Sequence, residues 1–329
     1  MAILAAVALI LAGCGGATST TTHTTRTAAA RHRPTQSQTR PALVRLTYRP
    51  LYSLPAALRD PAYTALDGGR FAMLGGLDGA DVSSAGIEIA DTHRVLHTAT
   101  LPGPQHDAQG AFLAGKVYVF GGGYTTELDH ILSYDPASDA VAQAGTLLAP
   151  QSDVAVARSG DNAYVVGGFD GTNYLNTIAA FAPGGVATVV GHLPIGVRYA
   201  AVAVADGELL VLGGSTPTGA SDAVYRFDLS THQVRRLATL PHPITHGEAA
   251  ALGSNVYLIG GRSDLLNGQT ASVLAISPLT GRIRAAGDLP QPISDAAAVP
   301  IGDAIVVAGG QSPTTTLDGV GELVPVASP

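Results

Sequence analysis

Tryptophan is absent from this 329-residue chain, aromatic residues of all kinds make up 5% of it, and charged residues reach only 13%, about half the share usual in globular proteins. Its apolar fraction, 46% of residues, is therefore mostly Ala, Val, Leu and Ile. That suffices for a large core, built from small and closely packed side chains. Cysteine occurs once, as Cys14, which excludes internal disulfides, cysteine-ligated zinc and a cysteine nucleophile in the body of the protein. Basic charge is also scarce. Four of the 18 Lys and Arg residues lie before residue 43 and none of the 25 Asp and Glu residues does, so residues 43–329 carry a net charge of −11. Such a body repels phosphate backbones, and nucleic acid is not an expected partner. What is plentiful is glycine: 40 Gly and 21 Pro without a collagen-like period indicate many tight turns.

The apolar stretch from Ala2 to Ala12 is too short for the roughly 20 residues of a membrane-spanning helix and reads as the core of a signal peptide. It ends in Leu11-Ala12-Gly13-Cys14 followed by Gly15-Gly16, which resembles the bacterial lipobox. The absence of Lys or Arg before the apolar stretch departs from that pattern. The resemblance implies that residues 1–14 are a signal peptide with a lipobox, that Cys14 carries a lipid, and that the protein is secreted across the plasma membrane and anchored on its outer face. Residues 15–42 are rich in Thr, Arg and Pro, bury too little apolar surface to offset ordering, and are expected to form a disordered tether.

Residues 43–329 repeat. A Gly-Gly pair ends an apolar run six times, at Gly75-Gly76, Gly121-Gly122, Gly167-Gly168, Gly213-Gly214, Gly260-Gly261 and Gly309-Gly310, with first glycines 46, 46, 46, 47 and 49 residues apart. A leucine followed by proline or a relative keeps the same beat at Leu54, Leu101, Leu147, Leu193, Leu240 and Leu289. Each unit holds four short candidate strands, as in Glu248 to Leu252, Val256 to Ile259, Ser272 to Ser277 and Ile283 to Asp288. Four strands at this period predict the blades of a propeller. The strand before each Gly-Gly is apolar at consecutive positions, as burial on both faces between neighbouring blades requires. The units resemble kelch repeats, most closely at residues 120–139 and 167–185, although the Trp common in the fourth strand of that family is missing. The expected fold is all-β, a six-bladed kelch-type propeller with four antiparallel strands per blade. Only one strand's worth of apolar sequence follows Gly310. The segment Leu43 to Leu54 is therefore expected to supply the outer strand of the last blade, for 24 strands in all.

In kelch propellers the loops leading into the inner strands and the loops after Gly-Gly share one face. Counting five residues beyond each Pro position places Asp60, Asp107, Asp153, Tyr199, His246 and Asp295 at the start of successive inner strands, preceded by Arg59, His106, Ser152, Arg198, Thr245 and Ser294. Of the loops after the glycines, Asp78, Tyr124, Asp170, Asn173, Arg262 and Gln311 are candidates for an outer rim. One reading of these residues is a polar pocket that binds a cation or polyol through carboxylates and His246, with Arg59 and Arg198 holding a carboxylate. The other is that Asp and Ser satisfy turn backbone.

No motif for nucleotide, phosphate or nucleophilic catalysis emerges, and no catalytic residue, metal or cofactor is expected. The cysteine-linked tyrosine of copper-dependent kelch oxidases is excluded. The leading expectation is a monomeric, non-catalytic surface module that binds a protein or glycan through the channel face. The alternative is a carbohydrate-active enzyme such as a sialic-acid-type mutarotase or epimerase. A deep pocket with convergent carboxylate, His and Arg would favour the enzyme, and an open rim the binding module.

Overall fold

The computed structural model describes residues 43–263 and 268–326. Cys14, the signal-peptide segment 1–14 and the tether 15–42 lie outside the described residues. Six four-stranded antiparallel sheets follow one another along the chain. The third blade is typical: Ala155–Ser159 lies innermost and is followed outward by Asn162–Val166, Thr177–Phe181 and Thr188–His192. Strands are short because a turn interrupts the chain after every five to eight residues, and the outer strand of each blade is largely exposed, so it does not need a Trp to fill a core.

The sixth blade is composite. Its inner three strands are Ala297–Ile301, Ala304–Ala308 and Gly319–Pro325, and its outer strand is Leu46–Ser53, which pairs with Gly319–Pro325 from Leu46↔Pro325 to Ser53↔Gly319. The first and last segments of the propeller are thus joined by a full antiparallel ladder, as the strand count anticipates. The blades contain the expected 24 strands, and two small hairpins are added that periodicity did not indicate. Ser215–Thr216 pairs with Gly219–Ala220, and Arg262–Ser263 with Gly268–Gln269, each directly after a Gly-Gly pair.

The core is divided. Six buried apolar clusters correspond to the six junctions between successive blades. Between the second and third blades, for example, Phe120 meets Phe181 edge-on with centroids 5.5 Å apart. The leucines of the second sequence marker are buried in the same layers. Each blade therefore buries its faces only against its neighbours, and the ring must close for the first and last blades to be covered.

The Gly-Gly pair latches one blade to the next. The amide of Gly76 donates to the carbonyl of Gln105, on the loop entering the second blade, at 2.8 Å. Gly75 and Gly76 have φ of 70° and 96°, and a Cβ on Gly75 would lie 2.5 Å from that carbonyl oxygen. Any side chain would push the blades apart, so the same two glycines return in every unit.

Candidate functional site

Asp60, Asp107, Asp153, Tyr199, His246 and Asp295 occupy equivalent points at one mouth of the channel, each in the left-handed region with φ between 51° and 59°. Each amide donates to the carbonyl of its counterpart one blade earlier: Asp107 to Asp60 at 3.3 Å, Asp153 to Asp107 at 2.9 Å, Tyr199 to Asp153 at 3.1 Å, His246 to Tyr199 at 3.2 Å, Asp295 to His246 at 3.1 Å, and Asp60 back to Asp295 at 2.9 Å. Six peptide groups thus form a closed hydrogen-bonded ring. Aspartate enters the left-handed region readily, whereas a bulky residue does so at a cost of about 1–3 kcal/mol. Tyr199 is such a case. Just outside the ring, the residue before each ring position bridges the residue after each Gly-Gly pair: Arg59 with Leu77, His106 with Gly123, Ser152 with Phe169, Arg198 with Ser215, Thr245 with Arg262, and Ser294 with Gln311. The two loop sets therefore share one face, zipped together in every blade.

The ring carboxylates bond to side chains rather than to turn backbone. Asp60 pairs with Arg59 at 2.7 Å, Asp153 with Arg198 at 3.0 Å, and Asp295 with Arg262 and the hydroxyl of Ser294. Arg59 reaches on to Asp81 at 2.7 Å. The hydroxyl of Tyr199 donates to Asp107 at 3.4 Å, and its ring stacks on His246 with centroids 3.8 Å apart. These groups surround a cavity of about 50 Å³, room for one or two waters. Burial and the neighbouring charges of Asp153 and Asp295 push the Asp107 carboxyl up to about 8. Burial and the charges of Asp295 and Asp107 raise Asp60 well above the usual carboxylate range, against the opposing pull of Arg59. Burial also raises Asp153, opposed by Arg198, and lowers His246 to about 4. These shifts favour an uncharged His246 and a protonated Asp107 near neutral pH.

Beside the ring lies an open polar basin of about 250 Å³ between the second and fourth blades, lined by His106, Tyr124, Glu127, Phe169, Arg198 and Tyr199 among others. Its back wall is a stack: the Arg198 guanidinium carbon sits 4.9 Å from the Phe169 ring centroid, 5.1 Å from Tyr174 and 5.2 Å from Tyr199. His106 shares a hydrogen bond with Ser83 Oγ at 2.8 Å through Nδ1 and turns Nε2 to within 3.6 Å of Asp107. Tyr124 is 56% exposed at the edge. The structure thus brings His106, Asp107, Ser152, Asp153, Arg198 and Tyr199 into the basin and gathers Asp60, His246 and Asp295 around the cavity. Arg59 and Arg262 hold ring carboxylates from outside. Asp170 is not part of either group: its carboxylate accepts from the amides of Thr172 and Asn173 at 2.9 and 2.6 Å, within its own turn.

Three features escaped the sequence reading. Phe169 and Tyr174, which hold Arg198, lie on a loop of the preceding blade, and no periodicity connects them. Glu127 lies on the loop after Gly121-Gly122 with no marker. Below the ring, the Tyr63 hydroxyl donates to Glu248 across 185 residues of sequence, and burial pushes the Glu248 carboxyl up to about 8 against that bond. A lone carboxylate at the head of the run Glu248-Ala249-Ala250-Ala251 was the available signal.

Residues 197–241 match the kelch motif. This chain is 43% identical over 53 residues to Kelch-like protein 4 from Homo sapiens and 43% identical over 51 residues to Kelch-like protein 1 from Mus musculus. Each alignment covers 16% of this chain and 7% of the relative's length. The solved structure of YjhT superposes with a TM-score of 0.73 at 19% identity, covering 84% of this chain and 97% of that one. The matches agree with the blade architecture: a kelch motif coincides with the fourth unit, and the likeness in fold extends around the ring.

Proposed function

We propose that this kelch-repeat propeller is a non-catalytic binding module that recognises a protein or glycan through its channel face, secreted and held at the outer surface of a membrane by a lipid on Cys14. The observation that carries the reading is the contrast at that face between a ring cavity of about 50 Å³ and an open basin of about 250 Å³. The cavity is far below the several hundred Å³ of an ordinary small-molecule site, and its carboxylates are already engaged by Arg59, Arg198, Arg262 and Tyr199. The basin offers an exposed tyrosine, a guanidinium held among aromatic rings, and the side chains of Glu127 and His106, a set suited to hydroxyls, amides or a charged side chain at a contact surface. The lipobox resemblance at Leu11 to Cys14 supports anchoring.

Glycan-array binding and envelope pull-down with the purified protein test the reading. Arg198→Ala and Tyr124→Ala are each expected to weaken capture by at least about tenfold, the scale of an interface hot spot, and unchanged capture by both variants would overturn the basin assignment. Replacing Cys14 with Ser is expected to release the protein from membranes and abolish palmitate labelling. One observation favours the enzyme reading: the Asp107 carboxyl, raised to about 8 beside Tyr199, has the poise of a proton carrier near neutral pH. A sugar that exchanges its anomeric or epimeric configuration faster with the protein than with Asp107→Asn would establish it.

A further inference from the structure

The channel continues beyond the Tyr63–Glu248 bond into a second chamber of about 220 Å³, which no part of the proposed function uses. Its lining draws on all six inner strands, and apart from Tyr63, Thr64 and Arg158 consists of Gly, Ala, Val and Pro. The ring residues stand at the starts of these strands, while Arg158, Val204, Ala251 and Pro300 stand at their far ends, so the chamber opens on the face opposite the basin. Each inner strand is the edge of its sheet and is paired on one side only. The other edge is turned to the channel axis and presents backbone N–H and C=O groups to an occupant, although the Gly110 amide already donates to Gln109 and the Ala65 carbonyl accepts from Thr64. Among the described residues, Arg158 is the one charged residue in the lining. Its Nε donates to the carbonyl of Gly160 at 3.0 Å, and the rest of its exposed guanidinium is available at the mouth.

We propose that this chamber is a binding site for a small apolar N-acyl amino acid carboxylate: apolar body against the Ala and Val walls, amide on the free strand edges, carboxylate outward on Arg158. The volume accommodates about a dozen non-hydrogen atoms at the packing density of a protein interior. A plain alkane would leave the strand edges unpaired, and a cation would meet Arg158.

Calorimetric titration of the purified protein with N-acetyl-leucine tests the site. Saturable binding is expected at about millimolar affinity or tighter, the range open to about a dozen well-packed atoms. N-acetyl-leucinamide is expected to bind about fivefold more weakly, the most that an exposed ion pair contributes. Arg158→Gln should bring the acid down to the level of the amide, and Ala251→Leu should abolish binding of both. Arg198→Ala, at the other face, should leave the titration unchanged, which separates this site from the basin. Absence of saturable heat, equal binding of acid and amide, or binding insensitive to Arg158→Gln would each overturn the proposal. Should Ala251→Leu fail to fold, the exposed Arg158→Gln variant decides.

Discussion

Aspartates occur in two settings in this propeller, and their carboxyls shift in opposite directions. At the tips of the turns, Asp78, Asp91, Asp170 and Asp228 accept hydrogen bonds from their own loops, chiefly from backbone amides, and their acidity is strengthened. At the channel mouth, Asp60, Asp107 and Asp153 are withdrawn from water and face one another, and their acidity is weakened. Six of the seven belong to turn or loop segments and Asp228 ends a strand just before its turn. The difference lies in where the fold turns the side chain. A tip aspartate serves its own backbone and stabilises one loop. A ring aspartate leaves its backbone in the amide ring and turns its carboxyl into the channel mouth, where it makes the site and strains it. A repeated turn former and a repeated site residue are therefore the same residue used twice, once through its tolerance of a left-handed backbone and once through its charge.

The most severe way to break this contrast is to open the ring. Deleting residues 43–54 removes the strand paired with Gly319–Pro325 and exposes both that edge and the junction where Asp60 bonds back to Asp295. Because each blade is covered only by its neighbours, the melting temperature is expected to fall by more than about 10 °C and the protein to associate through the bare edge. What persists of the fold should have lost the raised pKa values of the ring carboxyls, so that its stability follows pH no more steeply than the turn-tip carboxylates dictate. Thermal melts and size-exclusion chromatography across pH check this. An unchanged melting temperature and a clean monomer would show that the closing strand is dispensable.

Next in size is the charge of the ring itself. Between the ordinary carboxylate value of 3.8 and about 8 the folded chain holds a proton at Asp107 that the unfolded chain has released, so stability declines as pH rises through this window and levels off above it. Glu248 behaves the same way from its ordinary 4.5 to about 8. His246, with its value lowered from 6.5 to about 4, adds stability as pH rises between those values and partly offsets the two acids there. The net decline should therefore be steepest between about pH 6.5 and 8. Asp107→Asn removes one of its sources, and is expected to raise the melting temperature by about 5–10 °C at high pH and leave it unchanged at about pH 4. Asp228→Ala, which unties the turn held through Ser230 and Thr231, should lower the melting temperature at neutral pH. That loss should fade in acid as the wild-type carboxylate is protonated. Two variants with the same sign would erase the distinction between ring and tip.

The fold was legible because its causes recur. One steric reason, the blade-to-blade latch at Gly75-Gly76, repeats six times and leaves the same mark each time, and the count of strands left over after Gly310 points to the closing segment. The ring positions could be found by counting for the same reason. What counting could not distinguish was Asp153 from Asp170: both are aspartates in loops on one face, one aimed at Arg198 and the other at its own turn. The stack of Arg198 on Phe169 and Tyr174, and the bond from Tyr63 to Glu248, join different blades through residues that do not repeat. The hairpins after Gly214 and Gly261 pair only two residues on each side, too few to leave a period.

The smallest effect on stability is expected at Tyr199, where the contrast can be sharpened inside a single residue. Its backbone needs the left-handed region that Asn enters more easily, so Tyr199→Asn should recover about 1 kcal/mol of backbone strain. The same change removes the stack on His246 and one of the three rings around Arg198, a loss of similar size for each aromatic or cation contact. Stability should therefore fall by only about 1 kcal/mol, because the recovered backbone strain offsets one of the two lost contacts. Ligand capture has no such compensation. Tyr199 and Arg198 both line the basin, and loosening the guanidinium should weaken binding about as much as Arg198→Ala does. Parallel melts and capture assays on Tyr199→Asn separate the two uses of the position: a strained tyrosine retained for the site loses binding at little loss of stability. A variant that loses stability and keeps binding would make Tyr199 a packing residue, and the basin would then have to be rebuilt around His106, Tyr124 and Glu127 alone.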